Sequence, residues 1–459
     1  MKKVKPALLR GFDQEYLPQE QLQFNALVEI IRRKFELFGF LPLETPSAER
    51  KEVLISKGGV EKEIYALARL AAGADDDEAA TKGALRFDLT VPLARYVAMR
   101  ERELAFPFRR YQIQRVWRGE TPQVRRGRFR EFYQCDIDII GRDKLSYLAE
   151  AEIPSVIYSV FQEMAIGEFR IRINNRKVLK GLLMKFSVPD AGAAAVLRAL
   201  DKIENEDASK VLEDLEREGM SRAAARDLHG LVCAGRDTDA TLDLLSGFGG
   251  QNELLGQGLA ESRKVVAAIR KFGVPDSAFC MDLSVVRGLD YYTGTIYETR
   301  LVDYPELGSI CSGGRYDDLA GYFTDTRLPG VGISIGLTRL FSKLKQAGLL
   351  RAPARTPAEV LITTMEGQDV GGYLTMARML RDAGINTEVY FEPAKLKHQL
   401  AYAEKKGFRV ALIAGETEFE KQIVQVKNLA TRTAADCSLG ELVATVQHRL
   451  QQSPGLKGS

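Results

Sequence analysis

Eight arginines crowd the stretch from Arg109 to Arg130, at positions 109, 110, 115, 118, 125, 126, 128 and 130, against a single acid, Glu120. The run PFRRYQIQRVWRGETPQVRRGRFREFYQCDIDIIG reads as strand, loop, strand, and residues 121–127 hold the Pro and Gly of a turn. Side chains two apart on a strand share a face, so Arg118, Glu120, Phe132, Gln134 and Asp138 can converge on one side. Such a face offers a guanidinium for phosphate, an aromatic plate for a base and polar groups for a small substrate. A solvated basic hairpin has the same composition, so this segment alone leaves both readings open.

Three more segments carry candidate chemistry. SVVRGLDYYTGTIYE, residues 284–298, sets Arg287, Asp290, Tyr291 and Tyr292 within six positions beside glycine. Its plain alternative is a hairpin turning at Thr293 and Gly294 with edge tyrosines. CSGGRYDDL, residues 311–319, has two glycines that let backbone approach a ligand before a helix starts, or that simply cap that helix. GVGISIGLTRL, residues 330–340, puts glycines on a strand and Arg339 at the opening of a helix, without the Gly-Lys-Ser/Thr ending of a phosphate loop. His229, His398 and His448 lie outside all four segments, which argues against a catalytic triad or a His-rich metal site. Five cysteines, none in Cys-x-x-Cys, argue against a disulfide framework or zinc ribbon and for a reducing compartment.

The elements that must position these residues follow from length and texture. A chain of 459 residues predicts about three domains. Its 45% hydrophobic and 28% charged residues are ordinary for a globular protein and exclude disordered, collagen-like and coiled-coil classes. No apolar run nears the ~18–20 residues of a membrane span. The opening MKKVKPALLRGFDQEYLP has no apolar stretch behind its lysines, so a soluble, cytoplasmic protein is expected. A net charge of +3 does not by itself announce a nucleic-acid binder.

An amphipathic helix is expected over 19–38, with Leu22, Ala26, Ile30 and Phe38 at helical spacing. An exposed acidic loop is expected over 73–83, strands over 84–90, 108–118 and 128–140, a helix over 144–164 and a strand over 168–174. Residues 176–275, rich in Ala, Leu, Glu, Lys and Arg, read as a helical insertion between β-rich zones at 1–175 and 276–348. A Pro/Arg-containing linker at 349–357 leads to a tail, 358–459, where strands and helices alternate as in a small α/β domain with a parallel or mixed sheet.

Taken in order, RFDLTVPLARY (residues 86–96), the arginine-rich hairpin, VVRGLDYYTG, SGGRYDDL and the glycine strand with Arg339 closely resemble the class II histidyl-tRNA synthetases. GFLPLETPSAER (residues 39–50), centred on Pro46, resembles the family's motif 1, which forms its dimer interface; the hairpin resembles motif 2 and VGISIGLTRL motif 3. RGLDYYTG and SGGRYDDL resemble two signatures that other class II enzymes lack. The resemblance covers nearly the whole chain. It implies an α/β (α+β) fold, with a catalytic domain on a mainly antiparallel sheet flanked by helices, a helical insertion, and an α/β anticodon-binding domain.

It also implies a reaction: histidine and ATP give histidyl-adenylate and pyrophosphate, and the histidyl group then passes to the 3′ end of tRNA. By resemblance, Arg118 and Arg287 hold the α-phosphate and the histidine carboxylate, and Arg339 the γ-phosphate. Phe132 stacks on adenine, Glu120 bonds its edge, and Mg²⁺ enters with ATP rather than at a protein metal site. Asp138 and Tyr292 match the pair that reads the imidazole, Asp88, Thr90 and Gln134 the amino-group contacts, and Tyr291 and Tyr316 the pocket wall. Implied partners are ATP, histidine, tRNA and a second copy of the chain through motif 1, with no DNA and no membrane.

Three departures stand out. Asp88 and Asp138 occupy positions where some members carry Glu, Thr338 stands where Glu is usual, and RGFDQEYLP matches the family's opening loosely. From Ala358 onward 12 basic and 12 acidic residues cancel, so charge alone does not make the tail an RNA binder. Arg125, Arg126 and Arg128 are better placed to meet acceptor-stem phosphates. Two other classes compete: a regulatory paralogue of the ATP phosphoribosyltransferase, whose members generally lack the tail and degrade the ATP arginines, and a non-catalytic tRNA sensor.

Overall fold

EFYQCDIDII alternates apolar and polar residues over ten positions, which buries one face of a strand and leaves the other free to carry chemistry. The computed structural model forms that strand as β5, Glu131–Ile140. It describes residues 3–452 except 57–60, 69–81, 205, 235–236, 249, 251, 287–291, 319, 351–354 and 369. The chain divides into two units, residues 1–14 with 27–349 and residues 15–26 with 350–459.

In the first unit β5 belongs to an eight-stranded sheet. Its other members are β1 (Leu41–Pro42), β4 (Phe108–Trp117), β6 (Phe169–Asn175), β7 (Phe279–Met281), β8 (Thr295–Leu301), β9 (Cys311–Tyr316) and β10 (Gly330–Ile335), in the order β1-β4-β5-β10-β9-β8-β6-β7. All neighbours are antiparallel except β1–β4 and β6–β7. On the apolar face Cys135, Ile137 and Ile139 pair with Ile335, Ile333 and Val331, and all six are buried. Helix Tyr147–Met164 packs against β6 and β10 through buried residues that include Ile153, Val156, Ile157 and Val160. The Ser146 side chain caps its start by accepting from the Leu148 N–H. A short separate pair joins β2 (Ala48–Arg50) to β3 (Gly83–Leu85).

Between Arg176 and Lys271 the described residues form six helices. The first and last, Arg176–Lys185 and Glu253–Lys271, cross closely because each offers a glycine. A Cβ on Gly181 would fall 2.7 Å from the Leu255 Cβ, and one on Gly258 would fall 2.7 Å from the Val178 nitrogen.

The second unit carries a five-stranded sheet of β11 (Val360–Ile362), β12 (Thr387–Val389), β13 (Val410–Ile413), β14 (Ile423–Asn428) and β15 (Ala434–Ser438), in the order β12-β11-β13-β14-β15. The first three strands are parallel, β14 runs against them, and β15, antiparallel to β14, runs with them again. Val360, Ile362, Val410, Leu412, Val424 and Val426 build its core with Tyr373, Leu380, Leu442 and Val446.

Several local expectations need correction. The strand expected over 84–90 stops at Leu85, and Thr90 opens helix Thr90–Arg100. The Asp88 carboxylate accepts from the Val91 N–H and so starts that helix. The glycines of SGGRYDDL do not precede a helix; they lie within β9, held between β8 and β10. The strand expected from 128 begins at Glu131. Helix Glu416–Glu420 and strand β15 are additions to the expected tail. The acidic loop expected over 73–83 falls largely outside the described residues.

Candidate active site

The polar face of the large sheet gathers side chains from strands far apart in sequence. Registered across it lie Gln112 on β4, Asp136 on β5, Ser334 on β10, Ser312 on β9, Glu298 on β8 and Arg172 on β6. One step along the strands a second row runs Arg110, Asp138, Gly332 and Gly314. Two cavities that share Ser312 and Ser334 open on this face.

The smaller, about 40 Å³, is lined by Thr90, Asp136, Asp138, Tyr292, Tyr316 and Gly332 among others. Asp138 is held from two sides. Arg110, fully buried, pairs with its Oδ2 at 2.5 Å, and the Tyr316 hydroxyl donates to its Oδ1 at 2.6 Å. Three glycines make room for the three groups. A Cβ on Gly332 would fall 2.2 Å from the Asp138 Oδ1, one on Gly330 2.3 Å from the Tyr316 ring, and one on Gly314 2.8 Å from the Tyr292 ring. Burial, with the charge of Asp138 behind it, pushes the Tyr292 phenol up, so it stays protonated and able to donate. Burial likewise pushes Asp136 up to about 7, with Arg110 and a Ser334 hydrogen bond offsetting only part of the effect. A carboxylate and a phenol in one niche can accept an N–H at one point and give or take a hydrogen bond at another, which suits a two-nitrogen ring.

The larger cavity, about 390 Å³, is lined by Arg118, Arg128, Arg339 and Lys343 with Glu120 as the carboxylate beside them. Four cations against one acid favour a polyphosphate. Phe132 and Gln134 also line it. The Arg118 guanidinium lies 5.1 Å over the Phe132 ring and its Nε donates to the Phe87 carbonyl at 3.0 Å. Gly127, at φ 70°, closes the hairpin loop against the Arg339 stem, where a Cβ would come within 2.9 Å of the Arg339 Cγ. Thr338, at the start of helix Leu337–Gln346, is buried and accepts from the Tyr133 N–H at 2.8 Å. The unusual threonine thus ties that helix to β5. Among the described residues no cluster of three or more His, Cys, Asp or Glu could hold a metal ion.

Of the residues singled out in the sequence, Arg118, Glu120, Phe132, Gln134 and Arg339 meet at the larger cavity, and Thr90, Asp138, Tyr292 and Tyr316 at the smaller. Asp88 lines neither cavity, and its Oδ1 accepts from the Val91 N–H in the first turn of helix Thr90–Arg100. Arg287 and Tyr291 lie outside the described residues. Sequence reasoning misses Arg110, Asp136, Ser312, Ser334 and Lys343. Asp136 has the same strand parity as Gln134 and Asp138, so alternation carries its signal; nothing in the sequence marks the two serines or the buried Arg110.

Comparison with known proteins fits this geometry. Residues 13–340 match the histidyl-tRNA synthetase family model and residues 360–449 match that of an anticodon binding domain. A histidine–tRNA ligase of Xanthomonas axonopodis pv. citri (strain 306) is 47% identical over 98% of this chain and 97% of its own. The crystal structure of histidyl-tRNA synthetase from Nostoc sp. PCC 7120 superposes with a TM-score of 0.90 at 39% identity, covering 98% of this chain and 100% of that one. A Bacillus halodurans structure described as an ATP phosphoribosyltransferase regulatory subunit/histidyl-tRNA synthetase shares the fold, with a TM-score of 0.70 at 21% identity over 88% of this chain and 97% of that one. With a family model across more than half its length and a relative nearly half identical end to end, the chain belongs to the histidyl-tRNA synthetase family.

Proposed function

We propose that the chain is a histidine–tRNA ligase. A histidine carboxylate oxygen attacks the α-phosphorus of ATP, pyrophosphate leaves, and the histidyl group then passes from the adenylate to the 3′ end of tRNA. The observation that carries this is the pair of adjoining cavities, one ringed by cations beside an aromatic plate, the other by a carboxylate and phenols. In-line attack needs positioning and charge neutralisation more than a strong base.

Arg118 and Arg287 hold the α-phosphate and the substrate carboxylate, Arg339 takes the γ-phosphate, and Phe132 and Glu120 receive the adenine. Asp138 and Tyr292 read the imidazole. Asp88, Thr90 and Gln134 approach the amino group, and Tyr291 and Tyr316 close the wall. Arg110 and Tyr316 fix Asp138 in place, and an apolar side chain would leave the polar lining of this niche, Asp136, Asp138 and Tyr292, without the hydrogen bonds an imidazole makes, and be rejected. Mg²⁺ accompanies ATP and neutralises its phosphates. The ion would enter with the nucleotide, its charge adding to that of Arg118 and Arg339, while Glu120 stays with the adenine edge.

The same reading makes residues 1–175 and 276–348 the catalytic core, 176–275 an insertion, 349–357 a linker and 358–459 the anticodon-binding domain, in a homodimer through motif 1 working in the cytoplasm. No helix among the described residues is long and apolar enough to cross a membrane, and none of the five cysteines is in a disulfide. Histidine-dependent ATP–pyrophosphate exchange tests the function. Exchange with histidine and none of the other amino acids is expected, followed by charging of tRNA; histidine binding without exchange would overturn the reading in favour of a regulatory or sensing role.

A further inference from the structure

Asp136 is a carboxylate with one oxygen held and one left over. It is 4% exposed on β5 and lines the smaller cavity, where Ser334 provides one hydrogen bond and Oδ1 has no partner among the described residues. Among the described residues, the charged and titratable groups that face it are Arg110 from β4, Asp138 and Cys135 from its own strand, Cys311 from β9, Asp88 and Tyr292. Among these the only cation is Arg110, and it is engaged with Asp138 at 2.5 Å. Among the described residues two buried carboxylates therefore share one guanidinium, and no basic side chain lines the cavity itself.

A buried anion with an orphan oxygen is costly, so the empty site favours a proton on Asp136. A docking cation reverses that balance, because it supplies both the missing donor and the missing charge. Along the strand Asp136 falls between Gln134 and Asp138, and it shares the cavity wall with Thr90. In the proposed function this is the side that receives the amino group of histidine, with the ring toward Asp138.

We propose that Asp136 is a further specificity residue of this site: it takes the α-ammonium of the amino acid on its open oxygen and ionises as it does so, expelling its proton to solvent. The inference rests on the smaller cavity being the histidine site. Its consequence is that histidine binding is coupled to proton release near neutrality, in addition to any proton the ligand's own ring loses.

Calorimetry of histidine binding to the full chain, in phosphate and in Tris at pH 7, reads the number of protons released. With Asp136 titrating at about 7 in the free protein, the wild type should release about half a proton more per histidine than Asp136→Asn. The excess should fade by pH 8.5, where the carboxyl is already ionised, and imidazolepropionate, which lacks the ammonium, should bind without it. The wild-type pH series and the analogue comparison stand even if Asp136→Asn folds poorly. Equal proton counts in wild type and variant, or the same release with the deaminated analogue, overturn the proposal while leaving the histidine site intact. Absence of any histidine binding to the wild type instead overturns the reading beneath it.

Discussion

Adding one methyl group at Gly332 should separate recognition of histidine from recognition of ATP. A Cβ there would lie 2.2 Å from the Asp138 Oδ1 and 2.4 Å from the Ile137 carbonyl oxygen, against ordinary contacts of about 3.5 Å. The carboxylate must retreat by roughly 1 Å, yet Arg110 holds it at 2.5 Å and Tyr316 at 2.6 Å. Retreat gives up a charge-assisted hydrogen bond, about 1.5–3 kcal/mol, and overpacking adds about 1–3 kcal/mol. If about 3 kcal/mol of this falls on the bound state, the histidine KM rises about a hundredfold in Gly332→Ala. Gly332 does not line the larger cavity, so the ATP KM should stay within about threefold. Initial rates of pyrophosphate exchange against each substrate, with a melting curve to establish folding, make the comparison. A folded variant whose histidine KM is unchanged would refute the claim that glycine at 332 exists to seat Asp138.

Thr338→Val removes the acceptor of the Tyr133 N–H; an orphaned buried amide should cost about 1–3 kcal/mol, seen as a lower melting temperature, with the ATP KM raised because Arg339 is the next residue. Arg287→Ala should nearly abolish pyrophosphate exchange while circular dichroism and melting stay unchanged; near-normal turnover would show that the residue is misassigned. Asp136 carries a folded-state value raised from 3.8 to about 7, so its contribution to stability is complete below about pH 4 and is lost as pH rises through 7. Asp136→Asn, uncharged throughout, should therefore gain on the wild type by about 2–3 kcal/mol between pH 5 and pH 8.5 in the free protein, read as a difference in melting temperature that widens with pH.

Much of the site is legible because strand alternation is a strict rule. Placing Phe132, Gln134 and Asp138 on one face needs only the period of two, and Arg118, Glu120 and Arg339 follow from the resemblance. What the sequence does not reveal is how charges are paired. Arg110 looks like one member of a basic hairpin, yet it is fully buried as the counter-charge of Asp138. Asp88 has the chemistry of a ligand contact, and nothing in the sequence tells that one of its oxygens also takes the Val91 N–H at a helix start. The Ser-Gly-Gly run has turn composition, but pairing on both sides by β8 and β10 keeps it extended; tertiary context overrides local preference. Ser312 and Ser334 are ordinary residues until the register of three strands brings them between two cavities.

The row from Gln112 through Asp136, Ser334, Ser312 and Glu298 to Arg172 has a meaning for assembly as well as for chemistry. It crosses six strands at right angles to the chain, over about 24 Å, and its members come from opposite ends of the catalytic sequence. A slip of any one strand by a single residue would turn its polar member into the hydrocarbon layer and present a neighbour such as Ile113, Cys135, Ile333, Cys311, Tyr297 or Ile171 in its place. Misregistered sheets are thereby penalised twice, by the buried polar group and by the apolar one stranded opposite it. The row is a checksum on folding: a chain able to bind its substrate has already aligned all six strands.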